Sequence, residues 1–233
     1  MDRILYVGPY NNLMSKELFN KAVSYLKANK GYKFYYILPN GKLLVKYRQE
    51  ILNRVENAFD VNLFTFDNIV DRLLKDKFYI NVDRETKEAI IRSVLKDLRD
   101  EGKLSYYYDI SFKKGFAKAV SGIIGEIKRS LVTYEDYLNK CPASPFYTEI
   151  GFIYEEYEKK LQEHNLIDRE ESFMKALEIL EEDLSFFDGL DFIIIDYFFD
   201  FRPQELKLLE KITETNCSIY INMPFNRGEN FKS

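Results

Sequence analysis

The stretch FIIIDYFFDFRPQELKLL, Phe192 to Leu209, decides how the chain is read. Phe192-Ile193-Ile194-Ile195 is a continuous apolar run, the pattern of a strand whose sheet is covered by helices on both faces. Asp196 ends it. Tyr197-Phe198-Phe199 and a second acid, Asp200, follow. Pro203 fits the first turn of a helix running to about Thr215. A buried strand ending in aspartate is a common position for a metal-binding carboxylate. Here aromatic residues stand where partner acids or amides are expected.

Outward from this stretch, the first third of the chain alternates between strand and helix. Ile4–Val7 reads as a strand that stops at Gly8-Pro9. Phe34–Leu38 is a second strand closed by Pro39-Asn40-Gly41, and Val61–Thr65 is a third. Helices are expected between them, one with Leu18, Ala22, Tyr25 and Leu26 on a face, another from about Leu43 to Ala58, and one more from near Asp67. Ser218–Met223 is a last strand. Repeated strand–helix–strand units predict a parallel sheet with crossover helices. From about Arg84 to Leu184 only helical periods are visible, with no convincing strand and one loose region at Cys141–Pro145. Asp168-Arg169-Glu170-Glu171 reads as a helix cap, Glu171 reaching back to the backbone. The predicted architecture is one α/β domain, residues 1–80 plus 185–233, interrupted by an all-helical subdomain, 81–184. The end at Phe231-Lys232-Ser233 follows closely on the last strand, which suggests the N-terminal part of a longer protein.

Composition narrows the function. No apolar run approaches the ~18–20 residues of a membrane helix. The apolar stretch at the N-terminus is too short for a signal peptide, so a cytoplasmic location and no membrane partner are expected. Cys141 and Cys217 stand far apart and form no metal spacing, and a single histidine, His164, argues against histidine chemistry. Asp191 and Asp196 fall on opposite faces of one strand, so the acids around Asp196 suggest no metal cluster. The net charge of -4 lacks the basic signature of a free-standing nucleic-acid binder. A local patch is the exception. Lys113, Lys114, Lys118, Lys128 and Arg129 share one helical stretch, either a solvated face or a contact for a phosphate backbone. The 18 Tyr and 19 Phe are spread evenly, which favours core filling, although Tyr106-Tyr107-Tyr108 could stack bases.

A nucleotide-binding loop reads G-x-x-x-x-G-K-[ST], its amides and lysine surrounding phosphates and its hydroxyl binding magnesium. After the first strand this chain has Gly8-Pro9-Tyr10-Asn11-Asn12-Leu13-Met14-Ser15. Gly8 and Ser15 keep the spacing. Leu13 and Met14 replace the second glycine and the lysine, and Lys16 comes two positions late, just after Ser15. The second nucleotide motif is an apolar strand ending in Asp, usually followed by a Glu that positions the attacking water. Asp196 fills the first role. Tyr197 occupies the second, and a phenol with a reference pKa of ~10 is no substitute for a carboxylate base.

These segments resemble superfamily 1 helicases in order. Phe64-Thr65-Phe66-Asp67 is similar to their segment after the third strand. His164–Phe173 is similar to their helix start before the second motif, and Asp196–Gln204 looks like that motif in degenerate form. "DYFFDFRPQ" and Tyr36–Asn40 most resemble the B subunits of bacterial AddAB- and RexAB-type helicase–nucleases. The resemblance implies a RecA-like first helicase domain with an inserted helical subdomain. It implies a parent protein that processes DNA ends in recombinational repair with an A-type helicase–nuclease partner. It also implies a C-terminal nuclease domain with an iron–sulfur staple, for which two cysteines cannot suffice. Met223-Pro224-Phe225-Asn226-Arg227 departs from a motor's third motif.

The expectations are therefore these. No residue is catalytic. Gly8, Ser15 and Lys16 form a vestigial phosphate loop, and Asp196 and Asp200 a vestigial second motif, with no ATP, magnesium or other cofactor bound. Tyr197 and Phe199 pack a static core. Thr65, Asn40, Lys113, Lys114 and Lys118 contact DNA, single-stranded or at duplex ends. The competing reading is a protein–protein interaction module of the same ancestry without DNA contact. Asp196 and Asp168 each also have a plain structural reading, as a turn or helix cap.

Overall fold

The computed structural model describes residues 1–9, 13–55 and 61–225. In chain order, β1 (Arg3–Gly8), α1 (Leu13–Lys27), β2 (Phe34–Ile37), α2 (Gly41–Leu52), β3 (Leu63–Phe64) and α3 (Phe66–Leu73) come first. Next are β4 (Ile80–Asn81), α4 (Arg84–Asp100), α5 (Lys114–Arg129), α6 (Tyr134–Lys140), α7 (Pro145–Glu163), β5 (Leu166–Ile167) and α8 (Arg169–Glu182). Last are β6 (Phe192–Asp196), α9 (Pro203–Thr213) and β7 (Ser218–Pro224). Residues 10–12 of the Gly8–Ser15 loop, the end of the helix expected to reach Ala58, and Asn226 and Arg227 of the third motif lie outside the described residues.

The chain divides into two compact units. One comprises Met1–Leu73, Leu177–Phe201 and Glu205–Ser233, the other Leu74–Ala176 and Arg202–Gln204. The first holds the expected parallel sheet, ordered β1-β7-β6-β2-β3. Every residue of β6 is buried, as its unbroken apolar run requires. Alternation sends Phe192, Ile194 and Asp196 to one face of the sheet. There Phe192 and Ile194 join Leu18, Phe19 and Leu26 of α1 and Tyr47 and Ile51 of α2 in a single core. Phe192 stacks on Phe34 with ring centroids 5.3 Å apart. Asn40 caps α2 by accepting from the Leu43 amide, so this helix starts at Gly41, two residues before its expected start.

The second unit is helical with one exception that sequence reading missed. β4 and β5 pair in parallel over two residues each, Ile80 opposite Leu166 and Asn81 opposite Ile167. Two residues are too few to carry a strand period. The core is built from the apolar stripes of α4 (Ile91, Val94, Leu95), α5 (Val120, Ile124) and α7 (Ile150, Ile153, Tyr157). Among the described residues no helix is long and apolar enough to cross a membrane.

Candidate functional site

Asp196 sits at the carboxyl end of β6 and is fully buried. Four side chains from four other elements reach it. The Ser15 hydroxyl, in the first turn of α1, donates to Oδ1 at 2.9 Å. Asn222 lies directly opposite on β7, and its Nδ2 donates to the same oxygen at 2.6 Å and to Ser15 Oγ at 2.7 Å. The phenols of Tyr36 on β2 and Tyr47 on α2 donate to Oδ2 at 2.5 and 3.2 Å. Burial, and then the negative charge of Asp196, push both tyrosines well above the ordinary phenol range, so they stay protonated donors. Both carboxylate oxygens are thus taken by Ser15, Asn222, Tyr36 and Tyr47. A buried carboxylate is stable only when hydrogen-bonded in this way.

The fold brings together two of the expected nucleotide-site residues, Ser15 and Asp196, through a direct hydrogen bond. Gly8 ends β1 opposite Pro224. Lys16 and Asp200 are both exposed. Tyr36, Tyr47 and Asn222 were not singled out from sequence. The available signal was a lone polar residue, Asn222, inside the apolar strand Ser218–Pro224.

The segment after Asp196 corrects one expectation. Phe199 is 62% exposed and packs no core. The buried aromatic is Phe198, whose ring lies 4.8 Å from Phe201 and 5.3 Å from Phe66. Tyr197 has φ 66°, the left-handed region, and its ring stands edge-on to Tyr47 at 6.1 Å. This backbone reversal turns the chain sharply after Asp196 and leaves Phe199 facing outward.

The strand order reverses between β6 and β2, because β2 leads on to β3 on one side and β6 to β7 on the other. Open parallel sheets bind ligands at such a point, outside the carboxyl ends of the strands. Asn40, Lys42, Tyr197, Phe199 and Asp200 line a shallow depression there. Thr65 follows the neighbouring β3 and forms a reciprocal cap with Asn68, its Oγ accepting from the Asn68 amide at 3.2 Å while Asn68 Oδ1 accepts from the Thr65 amide at 3.0 Å. Asn40 and Thr65 therefore both serve as helix caps at the carboxyl edge of the sheet.

In the helical unit, Lys113, Lys114 and Lys118 are exposed. Lys128, read with them as part of one basic run, is not. Ala117, Val120, Ile124 and Lys128 follow the 3–4–4 spacing of the buried stripe, and Lys128 is 3% exposed. Its amine lies 3.0 Å from Asp168, 2.7 Å from Glu158 and 3.3 Å from Glu171. Glu171 thus engages Lys128. Asp168 caps α8 by accepting from the Glu171 amide at 2.8 Å, and it also accepts from Lys87 Nζ at 3.0 Å and Tyr157 OH at 2.9 Å. Burial alone would raise the Asp168 carboxyl; the Lys128 and Lys87 charges outweigh it and hold it at about 2. Burial would likewise lower Lys128, and the surrounding carboxylates hold it above the usual lysine range. Arg129 pairs with Glu170 at 2.6 Å. Lys128 and Arg129 are structural.

The fold and its edge define a class: a parallel α/β sheet protein with a hydrogen-bonded carboxylate at the end of a central strand. Comparison with known sequences makes this specific. The family model described as "ADDB, N-terminal" matches residues 14–233, and the chain belongs to that family. Among similar proteins is the B subunit of the ATP-dependent helicase/deoxyribonuclease of Thermoanaerobacter sp. (strain X514), 28% identical over 152 residues, covering 61% of this chain and 12% of the relative. The corresponding B subunit in Natranaerobius thermophilus is 28% identical over 182 residues, 73% of this chain and 15% of the relative. That of Listeria welshimeri is 24% identical over 212 residues, 85% and 18%. The chain spans less than a fifth of the length of these relatives.

Proposed function

We propose that this chain is the RecA-like, helicase-derived head of a subunit that processes DNA ends in recombinational repair, and that it holds DNA without hydrolysing ATP. The parent protein would act in the cytoplasm beside an A-type helicase–nuclease partner. Family membership and the helicase/deoxyribonuclease activity for which the relatives are named support the setting. The parallel sheet, with Ser15 and Asp196 meeting at its carboxyl edge, supports the RecA-like reading. The helical unit fits an insertion between β3 and β6.

One observation carries the ATPase-inactive reading. The Ser15 hydroxyl and the Asp196 carboxylate, which a motor directs at magnesium, are engaged with each other and with Asn222, Tyr36 and Tyr47. Tyr197 stands in the place of the water-positioning acid, and Lys16 is exposed two residues beyond the phosphate-loop lysine position.

The test has two arms. Purified chain should show no magnesium-dependent ATP turnover; turnover abolished by Asp196→Ala overturns the inactive reading. Fluorescence anisotropy with short single-stranded and forked DNA should show binding that weakens as salt rises. No binding at any salt, together with a stable complex with an A-type subunit, favours a pure interaction module instead.

A further inference from the structure

The helical unit carries a rigid loop that presents aromatic rings to solvent. Glu149 on α7 is 3% exposed, and its carboxylate accepts from the Ser105 amide (2.7 Å) and hydroxyl (2.8 Å), the Tyr106 amide (2.8 Å) and the Tyr107 amide (3.0 Å). Tyr107 turns inward, its ring 4.9 Å from Phe116 and its hydroxyl donating to the Phe146 carbonyl at 3.0 Å. Its neighbours turn outward. Tyr106 is 60%, Tyr108 52% and Phe112 60% exposed. Phe146, 5.6 Å from the Tyr106 ring, extends the aromatic surface. Lys113 Nζ lies 4.4 Å from the centre of the Phe112 ring, and exposed Lys114 follows.

Exposed apolar area of this kind costs ~25 cal/mol per Å² in water. A flexible loop would fold these rings inward. The Glu149 carboxylate and the Tyr107 anchor prevent it, so the rings are displayed on a fixed scaffold. The lysines decide what they are displayed to. Protein-interface cores are rich in Tyr and Phe and depleted of Lys, whereas this surface carries an ammonium against a ring face. Aromatic faces beside flexible cations are what single-stranded nucleic acid requires, with bases stacking and amines meeting phosphates. In a duplex the base faces are already occupied by one another.

We propose that residues Tyr106–Lys114 form a stacking platform for single-stranded nucleic acid, with Tyr106, Tyr108 and Phe112 receiving bases and Lys113 and Lys114 receiving phosphates. The proposal rests on the reading of this chain as a DNA binder and adds the strand state and the contact surface. The experiment compares the chain with its Tyr108→Ser/Phe112→Ser variant by anisotropy, using a single-stranded oligonucleotide of about 12 nucleotides and an abasic strand of the same length. Both side chains are exposed, and circular dichroism checks the fold. The expected result is a loss of about 10-fold or more on the base-containing strand, with the abasic strand hardly affected. Unchanged binding of both strands by the variant overturns the platform and leaves DNA binding by this chain intact. No binding of either strand by the unmodified chain overturns both. A variant that binds DNA normally but no longer binds an A-type subunit assigns the surface to protein instead and overturns the platform.

Discussion

The Ser15 hydroxyl and the Asp196 carboxylate, 181 residues apart in sequence, meet in a 2.9 Å hydrogen bond inside the sheet unit. Removing the carboxylate takes the shared acceptor from four buried donors at once, with the Asn222–Ser15 bond kept. Asp196→Ala should therefore destabilise the sheet unit by roughly 3 kcal/mol or more, since each buried group left unpaired costs about 1–3 kcal/mol. Tyr36→Phe removes one donor and should cost about 1 kcal/mol. Urea unfolding midpoints at constant slope would check the order; an Asp196→Ala protein as stable as the parent would remove the structural account of this carboxylate.

Tyr197 provides a backbone test. At φ 66° a side chain pays a steric penalty that glycine escapes. Tyr197→Gly and Tyr197→Ala both lose the edge contact with Tyr47, so comparing them isolates the backbone. The glycine variant should be the more stable of the two by about 1 kcal/mol. Equal stabilities would mean that the turn relaxes.

Lys128 is buried between Glu158 and Asp168, so Lys128→Met should destabilise the helical unit by about 3–5 kcal/mol, the range for breaking a buried ion pair by removing one partner. The expected readout is an earlier loss of helix in thermal melts. A solvated lysine would give a change within ~0.5 kcal/mol.

The pH dependence follows from Asp168. Its folded carboxyl lies at about 2, below the ~3.9 of an unfolded aspartate. The stability it contributes is fully present above the unfolded value and is lost as pH falls through about 2. Glu158 has the opposite sign, because burial raises it and its protonation in acid favours the folded form. Asp168→Asn should therefore flatten the acid limb of stability below about pH 4, in addition to its cost at neutral pH. Unfolding midpoints measured from neutral pH into acid would show it, and an unchanged acid limb would refute it.

Glu149→Gln tests the aromatic loop. Burial alone would raise the Glu149 carboxyl; the Tyr106, Tyr107 and Ser105 donors outweigh it and hold it below the usual glutamate range. The glutamine variant should speed amide exchange at Ser105, Tyr106 and Tyr107 relative to the rest of the helical unit. In the parent, acidification through the folded pKa should do the same. Unaltered protection in the variant would show that Tyr107 alone anchors the loop.

The parallel sheet was legible because its signals are local. The apolar run Phe192–Ile195 and the breaks at Pro39 and Pro203 each act within a few residues. Leu166–Ile167 was not legible, since a two-residue strand has no period to detect. Lys128 was misplaced because charge was given more weight than position, although its spacing from Val120 and Ile124 placed it on the buried stripe. Ser15 and Asp196 could be paired from the order of the nucleotide-site motifs. Tyr36, Tyr47 and Asn222 could not, because each reaches Asp196 from a different element, and only the folded register of β2, β6 and β7 aligns them.

The register of the sheet also dictates when it can be completed. β1 precedes the other strands of its sheet in this sequence, and its one neighbour in the described sheet is β7, Arg3 lying opposite Ile219. At about 5–20 residues per second, a ribosome needs roughly 10 s or more to produce that neighbour. The helical unit, whose contacts are mostly nearer in sequence, can form in the meantime. The N-terminal strand thus waits unpaired until β7 has been made. Chaperone dependence and sensitivity to translation speed should accordingly concentrate at the beginning of the chain.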